Sequence, residues 1–284
     1  MSLSAVRLLQ GAIVLLVFGP ILVEWAGFAG LVARINYCLL VPFLALILAR
    51  IAWRGADPLP TPSANSARLG YLCLFLSGLF LVVGSLSGIF TISIAGFPIA
   101  VFGLVGALWG TEGLFRSRYA LLMLFAMVPF PLPLLDYLTP TMVRASGAAA
   151  AAFVTPFDAE ATWLGSNLTY RGWTLFVAEA CSGSGTLLVL GSLTLFMAGL
   201  FRMRATAITV TLLLVAPITI VINGLRIAVM AWVLDGFGPA AVTGTGHEIL
   251  GQIVVIAGAA GLAVGVDKVT HLASSWKAKA GATS

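Results

Sequence analysis

One thiol, one guanidinium and one imidazole stand at the ends of successive apolar runs in this sequence. They are Cys181 in EACSGSGTLL, Arg226 in NGLRI and His247 in GTGHEILG. Those three groups suffice for acyl transfer through a thioester. A thiolate is the attacking species, and a free thiol near pKa 8.5 is mostly protonated at neutral pH, so it needs a nearby cation, imidazole or helix N-terminus. The apolar run that starts after Cys181 supplies such a terminus. Arg226 carries a permanent charge on a planar fork of donors, suited to an oxyanion or a scissile carbonyl. His247 can pass protons to a leaving amine and from an incoming nucleophile. Asn223, three residues before Arg226, shares its helical face and can orient a substrate backbone. Glu179, two residues before Cys181, can steer Arg226 or hold a substrate amine, although a solvated carboxylate fits it equally well. This chemistry calls for no metal and no cofactor.

Each residue taken singly has a plainer reading. A cysteine beside Ser182, Gly183, Ser184 and Gly185 suits close helix packing. An arginine near a helix end can snorkel, and an interfacial histidine is common. Three such groups at one depth on one side of a membrane are harder to obtain by chance. Cys38 and Cys73 differ from Cys181, because both lie inside apolar runs and read as small buried hydrophobes.

The elements that must position these residues are membrane spans. Of 284 residues, 60% are hydrophobic and 9% charged, and the mean hydropathy is +1.08. A soluble domain carries about 25% charged residues. The spacing of apolar runs predicts an all-α membrane bundle of about eight spans. They cover residues 5–23, 31–52, 69–86, 90–109, 119–135, 184–201, 205–233 and 249–266, and the seventh contains Pro217 and is expected to kink or to outrun the hydrocarbon. The N-terminus reads as a retained first span, since no cleavage pattern follows it.

With the N-terminus inside, the inner loops collect Arg7, Arg50, Arg54, Arg68, Arg116, Arg118, Arg202, Arg204, Lys268, Lys277 and Lys279. Only Arg34, Arg144, Arg171 and Arg226 fall outside. That is the positive-inside pattern, and it explains the net charge of +5 as topogenic. Without a basic stripe interleaved with aromatics, nucleic acid is excluded as a partner. The chain reads as a single domain over 1–284. Residues 54–68 form a cytoplasmic loop, 136–180 an extracytoplasmic segment and 268–284 a cytoplasmic tail.

The segment between spans five and six opens on Pro129, Pro131 and Pro133, which end the fifth span. Residues 136–153 read as an interfacial helix, with Leu138, Met142, Val143, Ala149 and Phe153 towards lipid. Residues 166–178 alternate like extended chain, and a short surface hairpin would deliver the chain to Cys181.

In order, VPFPLPLLDYLTPTMVRASGAAA, VAEACSG, NGLRIAVMA and GHEILG resemble the exosortase/archaeosortase family of membrane cysteine transpeptidases. The resemblance covers most of the chain. It implies a Cys–Arg–His site at Cys181, Arg226 and His247 in a bacterial inner membrane, facing outwards, with both termini cytoplasmic. It also implies exported protein substrates whose C-terminal tail joins a short motif, a hydrophobic span and a basic cluster, with membrane lipid as the surroundings. One position departs from that pattern: Gly185 stands where the family commonly has a basic residue, which bears on subgroup and substrate motif. Two other readings compete. A transporter or flippase for a lipid-linked or small-molecule substrate would place its polar groups near the midplane. A structural subunit of a polysaccharide export complex would not need the thiol.

Overall fold

The computed structural model describes residues 3–32, 34–55, 60–177 and 183–242, with residues 249, 253, 256–258, 261 and 265 of the final apolar run. Among the described residues the regular structure is helical apart from one small sheet. Its contacts fall into two compact units, Met1–Pro131 with Ala198–Arg202, and Leu132–Met197 with Met203–Ser284.

The first unit contains α1 (Leu3–Leu31), a 3-10 turn at Asn36–Leu40, α2 (Val41–Ala52), α3 (Ala64–Ser87) and α4 (Phe90–Phe125). Helix α1 runs past the expected end at residue 23. Trp25 is buried and its Nε1 donates to the Met127 carbonyl over 3.0 Å, which fixes the extra turns against protein. Helix α3 starts earlier than expected, because Ser63 accepts from the Ser66 N–H and caps it. Gly88, at φ 68°, reverses the chain into α4. Helices α3 and α4 then pack through small residues. A Cβ added at Gly103 would fall 2.7 Å from the Gly70 carbonyl oxygen, and one at Gly96 2.8 Å from that of Ser77. In lipid, close backbone approach of this kind replaces the hydrophobic drive.

Helix α4 breaks at Gly110 (φ 67°, ψ −160°) and resumes at once, where a short inner loop between the fourth and fifth spans was expected. The expected fifth span ends at Phe125 rather than at residue 135. A turn follows, and Pro133 sits in the first turn of the next helix, where its missing N–H costs nothing.

The second unit contains α5 (Leu132–Val154), strands β1 (Thr162–Leu164), β2 (Asn167–Tyr170) and β3 (Trp173–Phe176), α6 (Ser184–Leu200, whose last residues join the first unit) and α7 (Ala205–Phe237). Helix α5 covers the residues expected as an interfacial helix, but its apolar face packs within the protein. Met142 and Val143, expected towards lipid, are buried. Val143, Ala150 and Val154 of α5 share a core with Leu168, Tyr170 and Val177 and with Ile227, Ala228 and Ala231 of α7. The expected hairpin is β2–β3, turning through Arg171 and Gly172, both at positive φ as a two-residue hairpin turn requires. Strand β1 extends it to an antiparallel sheet ordered β1-β2-β3. Gly147 of α5 leaves the space that the Trp163 indole of β1 fills. Helix α7 continues through Pro217 without a break and is roughly 50 Å long at 1.5 Å per residue, so the seventh run outlasts the hydrocarbon.

Among the described residues, four helices are long and apolar enough to cross a membrane: Ala5–Leu31, Ala64–Ser87, Phe90–Phe125 and Ala205–Phe237. Asn36–Ala52 and Ser184–Leu200 are shorter apolar helices. The chain is thus a multi-pass helical membrane protein. The second expected span, 31–52, is shortened because α1 takes its first residue and a turn follows.

Candidate active site

Helix α7 supplies the frame. Asn223 is 1% exposed, whereas Val221 and Leu225 are 52% and 41% exposed on its outer side. Arg226 is half-buried. It lies 21 residues beyond Ala205, roughly 30 Å along the helix.

Gly183 places the start of α6 against that frame. Its carbonyl accepts the first helical bond, from the Leu187 N–H at 2.9 Å. Its φ is +84°, a conformation that L side chains rarely adopt, and a Cβ there would lie 3.1 Å from Asn223 Cγ. The residue two places after Cys181 therefore touches the residue one turn before Arg226. Gly258, in the final apolar run, also meets α7, since a Cβ there would lie 2.6 Å from Ile222 Cδ1. Gly183 and Gly258 thus meet α7 at successive residues, Asn223 and Ile222, whose side chains point about 100° apart around the helix. Helix α5 closes the same stretch from another side. A Cβ on Gly224 would come within 2.6 Å of Ala149 Cβ and 3.0 Å of the Ser146 carbonyl oxygen.

Cys181, Glu179 and His247 lie outside the described residues. Asn223 and Arg226 are described, and they share one face of α7 as the spacing predicts. Cys38 and Cys73 belong to the first unit. Cys38 is fully buried with its Sγ 3.8 Å from the Ala126 carbonyl oxygen, and Cys73 is half-buried in the α3–α4 packing, close to Gly103.

An ion pair that the sequence does not reveal holds the sheet on α7. The Arg171 guanidinium donates to Asp235 Oδ2 at 3.0 Å, and the Arg171 N–H donates to Asp158 Oδ2 at 2.7 Å. The hydrogen bond to Asp235 raises the Arg171 pKa above its ordinary value, with the Tyr170 and Asp235 charges adding to it. Arg171 was legible only as an outer basic residue, because its partners lie far away in sequence. The role of Gly183 was hidden for a different reason: a small-residue string does not announce which glycine takes positive φ.

In the first unit, basic residues from separate segments gather at one end. Arg7 lies over Trp109 at 5.6 Å and Arg116 over Trp53 at 5.5 Å. Arg54, Arg116, Arg118 and Arg202 line one cavity there.

The sequence model of a family described as transmembrane exosortase matches residues 25–265. Comparison with curated proteins and with solved structures gives no match.

Proposed function

The chain belongs to the transmembrane exosortase family, and on that premise we propose that it is a membrane-embedded cysteine transpeptidase or peptidase. Its substrates are exported proteins with a C-terminal motif, hydrophobic span and basic cluster. The observation that carries the reading is the contact of Gly183 with Asn223, since Gly183 lies two residues after Cys181 and Asn223 one turn before Arg226. That contact supports a site shared by the start of α6 and by α7, and the family resemblance supplies His247 as its third group.

In the proposed reaction the Cys181 thiolate attacks the carbonyl carbon at the sorting motif. A sulfur–carbon bond forms, and the charge passes to an oxyanion faced by Arg226. The carbon–nitrogen bond then breaks, and imidazolium His247 gives its proton to the departing amine. An amine or water attacks the thioester, His247 takes its proton back and the thiolate leaves. Asn223 orients the substrate backbone, and Glu179 steers Arg226 or holds a substrate amine. The site faces the exterior of a bacterial inner membrane, with both termini cytoplasmic. The gathering of Arg7, Arg54, Arg116, Arg118 and Arg202 at one end of the first unit supports that orientation, because these are residues the charge rule assigns to the inside.

The test is processing of a co-expressed exported protein carrying such a tail. Cys181→Ala abolishes processing, while Cys38→Ala and Cys73→Ala retain it. Full processing by the Cys181 variant would overturn the thiol mechanism.

A further inference from the structure

The arginine-lined cavity of the first unit has no part in the reaction proposed above, and it sits beside an apolar groove. Arg54, Arg116, Arg118 and Arg202 face a cavity of about 410 Å³. Glu112 is the one carboxylate among its described lining residues, and it is engaged by Arg116 at 3.4 Å. Arg118 is held flat by Phe115, whose carbonyl oxygen it donates to at 2.7 Å and whose ring lies 4.0 Å away. The charge balance is therefore strongly positive. A basic peptide is repelled there and an anion is attracted.

A second cavity, of about 540 Å³, carries Arg50 and Arg54 beside Leu46, Ala49 and Trp53. Those last three residues also line a groove of about 500 Å³ between α2 and α4, whose other walls include Pro42, Phe97, Val101 and Leu124. Arg54 borders the first two spaces, and Leu46, Ala49 and Trp53 border both the second and the groove, so the three adjoin. The Trp53 indole stands at the junction, with its Nε1 donating to Ser117 Oγ at 2.8 Å and Arg116 across its face. An anion site leading into an apolar groove along two apolar helices has the chemistry of a phospholipid, with a charged head and a long chain.

We propose that these adjoining spaces form a specific site for an anionic phospholipid. Its phosphate lies among Arg54, Arg116, Arg118 and Arg202, and one acyl chain lies in the groove between α2 and α4. Binding chemistry does not depend on the catalytic reading. The leaflet follows from the orientation of the chain.

The test is intact-protein mass spectrometry of the delipidated full chain in detergent, with dioleoyl phosphatidylglycerol or dioleoyl phosphatidylcholine added at equal concentration. Inorganic phosphate serves as a competitor. The anionic lipid is retained about tenfold better than the zwitterionic one, and the double variant Arg54→Gln with Arg202→Gln removes that preference. Both arginines are exposed, so the fold survives their loss. Ala49→Phe, which fills the groove, also lowers phosphatidylglycerol retention, and inorganic phosphate at the lipid's concentration does not displace it. Equal retention of the two lipids, or full retention by the double arginine variant, would overturn the proposal. Displacement by phosphate together with an unaffected Ala49→Phe protein would instead assign a soluble-anion site and overturn the lipid.

Discussion

An ammonium snorkels as well as a guanidinium, so replacing Arg226 by Lys separates an anchoring side chain from a chemical one. A planar fork gives two parallel donors to a carbonyl or oxyanion, and a compact ammonium does not. Losing one such donor costs about 2.7–4 kcal/mol of transition-state stabilisation. Arg226→Lys is therefore expected to insert normally and to process substrate at least about tenfold more slowly, by a cleavage time course at matched membrane levels. Equal rates would return Arg226 to an anchoring role. Gly183 offers a second test at this scale. At φ +84°, a Cβ is strained whatever the space, and here it also meets Asn223. Gly183→Ala should lower the thermal midpoint, by a cost of about 1–2 kcal/mol, and slow processing. Gly191→Ala within α6, with nothing near its Cβ, should do neither.

At the scale of elements, the crossing of α5 on α7 holds the site's frame. Gly224 is the contact point, closed in by Ala149 and by the backbone at Ser146 and Ala150. A branched side chain there forces the helices apart, and overpacking of that kind costs about 1–3 kcal/mol. Gly224→Val is expected to lower the unfolding midpoint in detergent, whereas Gly236→Ala, which meets nothing, leaves it unchanged. This crossing was not legible in the sequence. Residues 136–153 showed an apolar helix with the correct approximate limits, but periodicity cannot say whether an apolar face meets lipid or another helix. Met142 and Val143 were assigned to lipid for that reason. The β2–β3 hairpin was legible, because Arg171–Gly172 sits between alternating residues. Strand β1 was not, because three residues are too short to show a period.

At the scale of the molecule, the basic residues gave a distribution that a composition count would miss. Arg7, Arg54, Arg116 and Arg202 come from separate segments, yet side-chain contacts gather them at one end of the first unit. The number of spans was less legible. Hydropathy divided 5–52 at residue 23, while the helix continues to Leu31, held by Trp25. It also inserted a loop where α4 only breaks at Gly110. The orientation has a direct measurement. In a chain lacking native cysteines, Glu112→Cys should be shielded from an impermeant thiol reagent in intact cells, and Glu160→Cys should be labelled. Labelling of both from outside would reverse the assignment of the inner loops.

The core shared by α5, the sheet and α7 also has a consequence in time. Val177 precedes Ile227 by about 50 residues, and at about 5–20 residues per second synthesis needs roughly 3–10 s to cross that gap. For those seconds Val143, Ala150, Leu168 and Tyr170 are already made and their covering helix is not. A nascent chain passes through an interval with a sticky, uncovered face, in which chaperones or neighbouring chains compete for it. On the proposed chemistry the same interval keeps the thiol without its guanidinium, so an unfinished chain is chemically silent.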